Sequence, residues 1–210
     1  SARLRELGIE SFHMEAVKDD PTVMSEKLKE AAKAADIIIT TGGVSVGKKD
    51  IMHESLRLMG AERIFWRVKM KPGMPTLFSA YKKTSDITAT DNCASEREIP
   101  IISLSGNPFG VAVSIELLIR PALEKMMQDP SIGLKEVNGI MADNFEKGIK
   151  GRRFIRAYLE NGKFHLPNGL HSNGVLSSMA GCNCLIDTKT MENQESRSLN
   201  AGDKVGAILL

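Results

Sequence analysis

Residues 40–50, TTGGVSVGKKD, carry the most chemically suggestive spacing in the chain. They follow a short β-branched run, 36–41, and precede a helical pattern. Glycines there can take positive φ and bring main-chain amides close to a ligand. The positive end of a following helix adds attraction for an anion, so phosphate or another oxyanion is the expected ligand. The residues so placed are Thr41, Gly42, Gly43, Val44, Ser45 and Gly47. SGNP repeats the physics: after Ser105, Gly106 turns the chain, Asn107 caps and Pro108 opens a helix. If both preceding strands are parallel neighbours, the two loops meet at the carboxyl edge of one sheet, where open α/β folds bind ligands.

Cations and carboxylates accompany these loops. In FWRVKMKPGMP, residues 65–75, strand alternation puts Arg67, Lys69 and Lys71 on one face ahead of a Pro72–Gly73 turn. The plainer reading is a solvated basic face. Asp50 is suited to capping the helix after it, whereas Asp19 lies one residue outside the Asp20 cap and is not explained by capping. Two carboxylates beside bound phosphates suit a divalent metal.

Three other patterns are decoys. Residues 42–49 read G-x-x-x-x-G-K-K, but Lys49 stands where a nucleotide-binding loop needs a hydroxyl for magnesium. G-V-S-V-G imitates a nucleophile elbow around Ser45, yet His165 and His171 both fall in a later, β-rich region. Cys182 and Cys184 near those histidines match no common zinc spacing, and core thiols are the simpler account. Three cysteines in 210 residues form no disulfide framework and fit a reducing, cytoplasmic setting.

The elements that must position these residues follow from periodicity. Asp20 and Pro21 open a helix whose Met24, Leu28, Ala31 and Ala35 share a face. Residues 51–59 are helical with Gly60 as the stop, 63–70 and 99–105 read as strands, and 76–81 pairs nearby. The helix from Pro108 is expected to kink or break near Pro121. An apolar run spans 9–17, and 82–98 reads as a hairpin tip or surface loop. After QDPSIG, 128–133, no long helix is expected, only short apolar stretches between glycines. The fold class is thus an α/β domain with a parallel sheet, residues 1–130, followed by a small all-β domain, sandwich or barrel, residues 134–210. A net charge of +2 and no long apolar run give no case for nucleic acid or membrane.

Seven segments, in order, resemble the molybdopterin molybdenumtransferase family, which includes the E domain of gephyrin. They are DDP (19–21), ADIIITTGGVSVGKKD (35–50), MKPGMP (70–75), LSGNP (104–108), GRRFIRAY (151–158), GVLSSMAGCNCLI (174–186) and AGDKVGAILL (201–210). The resemblance implies a three-layer molybdopterin-binding domain with a mainly parallel sheet, and a barrel-like C-terminal β domain. The implied reaction takes adenylylated molybdopterin and molybdate, inserts molybdenum at the dithiolene and releases AMP, assisted by magnesium or another divalent cation. Asp19, Asp50, Arg67 and Lys71 match the family's polar site residues, with Asp19 and Asp50 as the implied metal ligands. Gly42, Gly43, Ser45, Gly47 and Asn107 match its ligand loops, and Thr41, Val44, Lys69, Pro72, Gly73, Ser105, Gly106 and Pro108 flank them. Ser105 and Gly110 depart from a usual proline and a frequent serine, Arg67 and Met74 from lysines, and Asn173 from a serine. The resemblance also implies two upstream domains, a homodimer, and a site completed by a partner subunit. The opening SARLRELGIE, helical without a cap, is accordingly expected to continue a longer chain that alone turns over. The alternatives are pterin adenylation, or a ligand-binding or scaffold module.

Overall fold

A computed structural model describes residues 1–44, 51–83, 97–146, 152–168, 176–188 and 198–210. The chain opens on a short helix, α1 (Ala2–Glu6). Residues 9–19 then form no helix or strand, and Phe12 and Met14 face solvent: the charged residues interrupting this run leave no continuous apolar face. Asp20 accepts hydrogen bonds from the Thr22 and Val23 amides at 2.8 and 3.1 Å, with Pro21 in the first turn, and α2 runs Pro21–Ala31. β1 (Ile38–Thr41) follows, then α3 (Met52–Met59), closed by Gly60 in the left-handed region as its position predicts.

The next segment departs from the single strand expected over 63–70. β2 (Glu62–Trp66) ends before Arg67, whose φ of +73° turns the chain; the Arg67 and Val68 amides still bond the Thr76 and Met74 carbonyls at 2.8 and 3.0 Å, and β3 (Met70–Lys71) then takes a different partner strand. Arg67, Lys69 and Lys71 therefore do not share one face of one strand. β4 (Leu77–Lys83) and β5 (Arg97–Leu104) pair antiparallel from Leu77↔Ser103 to Lys83↔Arg97.

The first sheet has the order β1-β5-β4-β2 among the described residues. β1 and β5 are parallel, whereas β4 pairs antiparallel with both β5 and β2. The sheet is mixed because β4 runs antiparallel to both of its neighbours, while β1 and β5 carry the parallel register. On one face α2 and α3 bury Leu28, Met52 and Leu56 against Ile38, Leu77, Ile99 and Ile101. On the other, Ile102 and Leu104 pack on Ile119 and Leu123. Helices on both faces make the three layers.

Buried polar groups interrupt this core. Ser79 and Ser103 are fully buried, and neither hydroxyl has a hydrogen-bond partner among the described residues. An unsatisfied buried hydroxyl costs about 1–3 kcal/mol. Ser103→Ala is therefore expected to raise stability by roughly 1 kcal/mol, read as an upward shift of the urea midpoint at unchanged slope. A lowered midpoint would show that the hydroxyl is satisfied.

The helix after Asn107 runs as α4 (Pro108–Ser114), a π turn over Ile115–Ile119, and α5 (Arg120–Met127). Pro121 offers no amide to the residue 117 carbonyl, and the widened turn just before it absorbs the mismatch, so the helix is deformed without breaking. Here Glu116 and Arg120 pair at 2.9 Å, both nearly fully buried. Arg120 also donates to the carbonyls of Ile132 (2.5 Å), Gly133 (2.9 Å) and Leu209 (3.3 Å), while Arg3 of α1 holds Glu116 at 2.6 Å.

Beyond the turn at Pro130–Ile132 lie β6 (Lys135–Met141), β7 (Arg152–Glu160), β8 (Lys163–His165), β9 (Cys184–Asp187) and β10 (Lys204–Leu209). The pairings β7–β8–β6–β10–β9 return to β7 and close a barrel. Its interior holds Ile155, Phe164, Ile186, Leu199 and Val205. Cys184 lies in that core with its Sγ 3.4 Å from the Ala157 carbonyl, and burial pushes its thiol up to about 12. It is a core thiol, as expected.

Candidate functional site

β1 and β5 end side by side, with Thr41 opposite Leu104. The ladder continues one step further, because the Gly42 amide donates to the Leu104 carbonyl at 2.9 Å. Gly42 and Gly43 have φ of +93° and +67°, which side-chain-bearing residues rarely adopt. A β-carbon on Gly106 would lie 3.5 Å from the Gly42 Cα, so the two loops touch at the carboxyl edge, as the parallel register requires. Val44 is buried, and the Gly43 carbonyl accepts from the Met52 amide at 3.1 Å, tying the loop to the first turn of α3. Asn107 caps α4 by accepting from the Gly110 amide at 3.2 Å, with Pro108 in the first turn. Ser45, Gly47 and Asp50 lie outside the described residues, as do His171, Cys93 and Asn173.

The KPG turn packs against the same helix start. Pro72 and Gly73 are buried, and Gly73 has φ +99°. A β-carbon on Gly73 would come within 2.7 Å of Ser114 Oγ and Met70 Cε. One on Gly110 would lie 3.5 Å from the Gly73 nitrogen and 2.7 Å from Ser105 Oγ. Ser105 and Gly110 therefore interlock: the serine hydroxyl fills the space that a side chain at 110 would take. Gly110→Ser alone is expected to cost roughly 1 kcal/mol of overpacking, largely recovered when Ser105→Ala accompanies it. Additive unfolding free energies across that double-mutant cycle would refute the interlock.

The barrel contributes to this edge through β3, which pairs parallel with β7, Met70 opposite Arg152 and Lys71 opposite Arg153. A shared apolar seam of Met70, Phe109, Val113, Phe154, Leu185 and Ile208 holds barrel and helix together. Arg156, almost fully buried, stacks over Phe109 at 4.0 Å. Burial draws the Arg153 and Arg156 guanidinium pKa values down, with a smaller opposing pull from Cys182 on Arg156. Reading the sequence for site residues passes over these arginines, although charged residues inside an otherwise buried strand are the anomaly that marks them.

Arg67 and Lys69 are exposed, and Arg67 lies over the Trp66 ring, 4.2 Å from its centroid. Asp19 is exposed, and Asp20 alone takes the α2 cap, so the Asp19 carboxylate is left to other uses. α2 and β1 are joined by the short connection 32–37 and share one core cluster. His165 is stacked on Tyr158 at 5.0 Å in the barrel. The SGNP helix start at 105–110 thus touches the glycine turn at Gly42 and the KPG turn at Gly73, and Lys71, next to that turn, lies opposite Arg153.

Known proteins resemble this chain in sequence and in fold. Residues 1–125 match the family model described as probable molybdopterin binding domain, and 138–210 match that of the MoeA C-terminal region, domain IV. A molybdopterin molybdenumtransferase of Staphylococcus aureus (strain Mu50) is 30% identical over 211 residues, covering 99% of this chain and 46% of that protein. One from Bacillus subtilis (strain 168) is 27% identical over 188 residues, covering 88% and 40%. The chain spans less than half the length of these relatives. Among solved structures, a molybdopterin biosynthesis moeA protein from Pyrococcus horikoshii OT3 superposes with a TM-score of 0.70 at 22% identity, over 100% of this chain and 44% of that one. A second structure of such a protein gives 0.74 at 18% identity, over 99% and 46%. The chain belongs to the molybdopterin-binding domain family, and its residues 138–210 match the MoeA C-terminal region.

Proposed function

We propose that this chain forms the pterin- and oxyanion-binding part of an enzyme that inserts molybdate into adenylylated molybdopterin and releases AMP. The observation that carries the reading is that the SGNP helix start touches both the glycine loop and the KPG turn that follows Lys71. Every reactant is an anion, and each part of that edge offers positive potential: loop amides, a helix start and fixed cations. In this reading Thr41, Gly42, Gly43, Val44, Ser45 and Gly47, with Ser105, Gly106, Asn107 and Pro108, hold the phosphorylated pterin. Arg67, Lys69 and Lys71 hold the incoming oxyanion and offset charge on the departing phosphate, Pro72 and Gly73 fixing the lysine's approach. Arg153, opposite Lys71 in the register, adds to the same field.

Asp19 and Asp50 are proposed to hold a divalent cation such as magnesium, which would neutralise phosphate charge. The free Asp19 carboxylate suits that task. Residues 1–130 are proposed as the molybdopterin-binding unit and 134–210 as the β unit. The whole protein is proposed to be a cytoplasmic homodimer acting on small molecules rather than on nucleic acid or membrane. No helix among the described residues is long and apolar enough to cross a membrane. Because the relatives are about twice as long, the chain alone is proposed to bind ligand weakly and not to turn over. Molybdate-dependent AMP release tests this reading. ATP consumption without it favours adenylation, and ligand or receptor-loop binding without chemistry favours a scaffold.

A further inference from the structure

We propose that Trp66 is a positioning residue for the anion site: it fixes the Val44 carbonyl and the Arg67 guanidinium together, at the junction of the glycine loop and the basic turn. The inference rests on the proposed ligand binding at that edge. Trp66 is the chain's single tryptophan. Its indole N–H donates to the Val44 carbonyl at 3.1 Å. Arg67 lies over its ring at 4.2 Å, and His53, from the first turn of α3, meets the ring edge-on at 4.7 Å. Arg67 takes its left-handed φ of +73° while its amide donates to the Thr76 carbonyl at 2.8 Å. A non-glycine residue in that region is strained and persists only where its surroundings hold it.

Each contact has a consequence for an anion. Loop amides attract a phosphate only while neighbouring carbonyls point elsewhere, and an indole N–H, which donates and never accepts, is suited to tying a carbonyl back. A guanidinium stacked on a ring keeps its in-plane N–H groups directed outward for planar contacts to an oxyanion. The backbone turn at Arg67 ends the strand and lays that side chain on the ring beside it. Trp66 so links two binding elements that are more than twenty residues apart in the chain.

The test is calorimetric titration of adenylylated molybdopterin into this chain, and into a longer form carrying the upstream half found in the relatives. Trp66→Phe, which keeps the ring and loses the N–H, is expected to weaken binding about threefold. Trp66→Leu, which loses both contacts, is expected to weaken it about tenfold. Trp66→Leu combined with Arg67→Ala should bind about threefold below Arg67→Ala alone, the share of the Val44 contact, rather than about tenfold, because both changes remove one guanidinium contact. A purely structural tryptophan would make the losses additive. Should Trp66→Leu fail to fold, Trp66→Phe and the unsubstituted protein's lone indole N–H resonance decide: a ligand-induced shift supports the coupling, and an unmoved resonance overturns it. Equal affinity of all folded variants, or additive losses, overturns the inference while leaving the ligand reading intact. Absence of binding by the unsubstituted longer form overturns both and is distinguishable because no substitution is involved.

Discussion

Arg120→Met is expected to destabilise the chain by about 3–5 kcal/mol, lowering the thermal midpoint on the order of 10 °C. The guanidinium lies at the joint between the two parts, bonded to Glu116 and to the carbonyls of Ile132, Gly133 and Leu209. Its loss leaves the buried Glu116 carboxylate held by Arg3 alone, and takes a donor from three main-chain acceptors. Both penalties exceed what methionine recovers by packing, because breaking one side of a buried pair costs far more than the net worth of the pair. Adding Glu116→Leu should recover part of the loss by removing the under-compensated charge, but not the part due to the three carbonyls. Arg3, which holds the other side of Glu116, is more exposed, so Arg3→Ala should cost about 1 kcal/mol or less. Differential scanning calorimetry of the four proteins checks the order. A midpoint drop below 2 °C for Arg120→Met would show that the joint is held by the apolar seam alone.

Lys71→Ala is expected to lower molybdate-dependent AMP release at least 100-fold while leaving stability nearly unchanged. The side chain is exposed, and β3 pairs with β7 through main-chain groups that alanine retains. What disappears is a cation set opposite Arg153 and next to the buried Pro72–Gly73 turn. Lys71→Arg should retain part of the rate, since charge survives although geometry changes. Steady-state rates in the longer form, with a urea midpoint for each variant, check both halves. Activity within threefold of the unsubstituted protein would remove Lys71 from the site.

Features governed by local rules were legible in the sequence. Asp20 with Pro21, Gly60, and Asn107 with Pro108 announce helix ends by residue type, and all three sit where those types direct. The meeting of the two loops was legible too, because two buried strands followed by glycine turns share an edge once they are parallel. Features that depend on distant pairing were not. Nothing near Met70 says that it will lie beside Arg152, and the expected strand over 63–70 conceals the break at Arg67, since arginine carries no mark of a left-handed backbone. Ser105 and Gly110 look like unrelated departures until their side-chain volumes meet in space. Pro121 signals a deformed helix but not the π turn that accommodates it.

Binding of the reactants of molybdate insertion at this edge is tested most directly by AMP release from adenylylated molybdopterin, with and without molybdate, by this chain and by a longer form carrying the upstream half found in the relatives. Molybdate-dependent release is expected from the longer form and none from this chain alone. Two folded proteins that both fail to release AMP, or release that ignores molybdate, would contradict it.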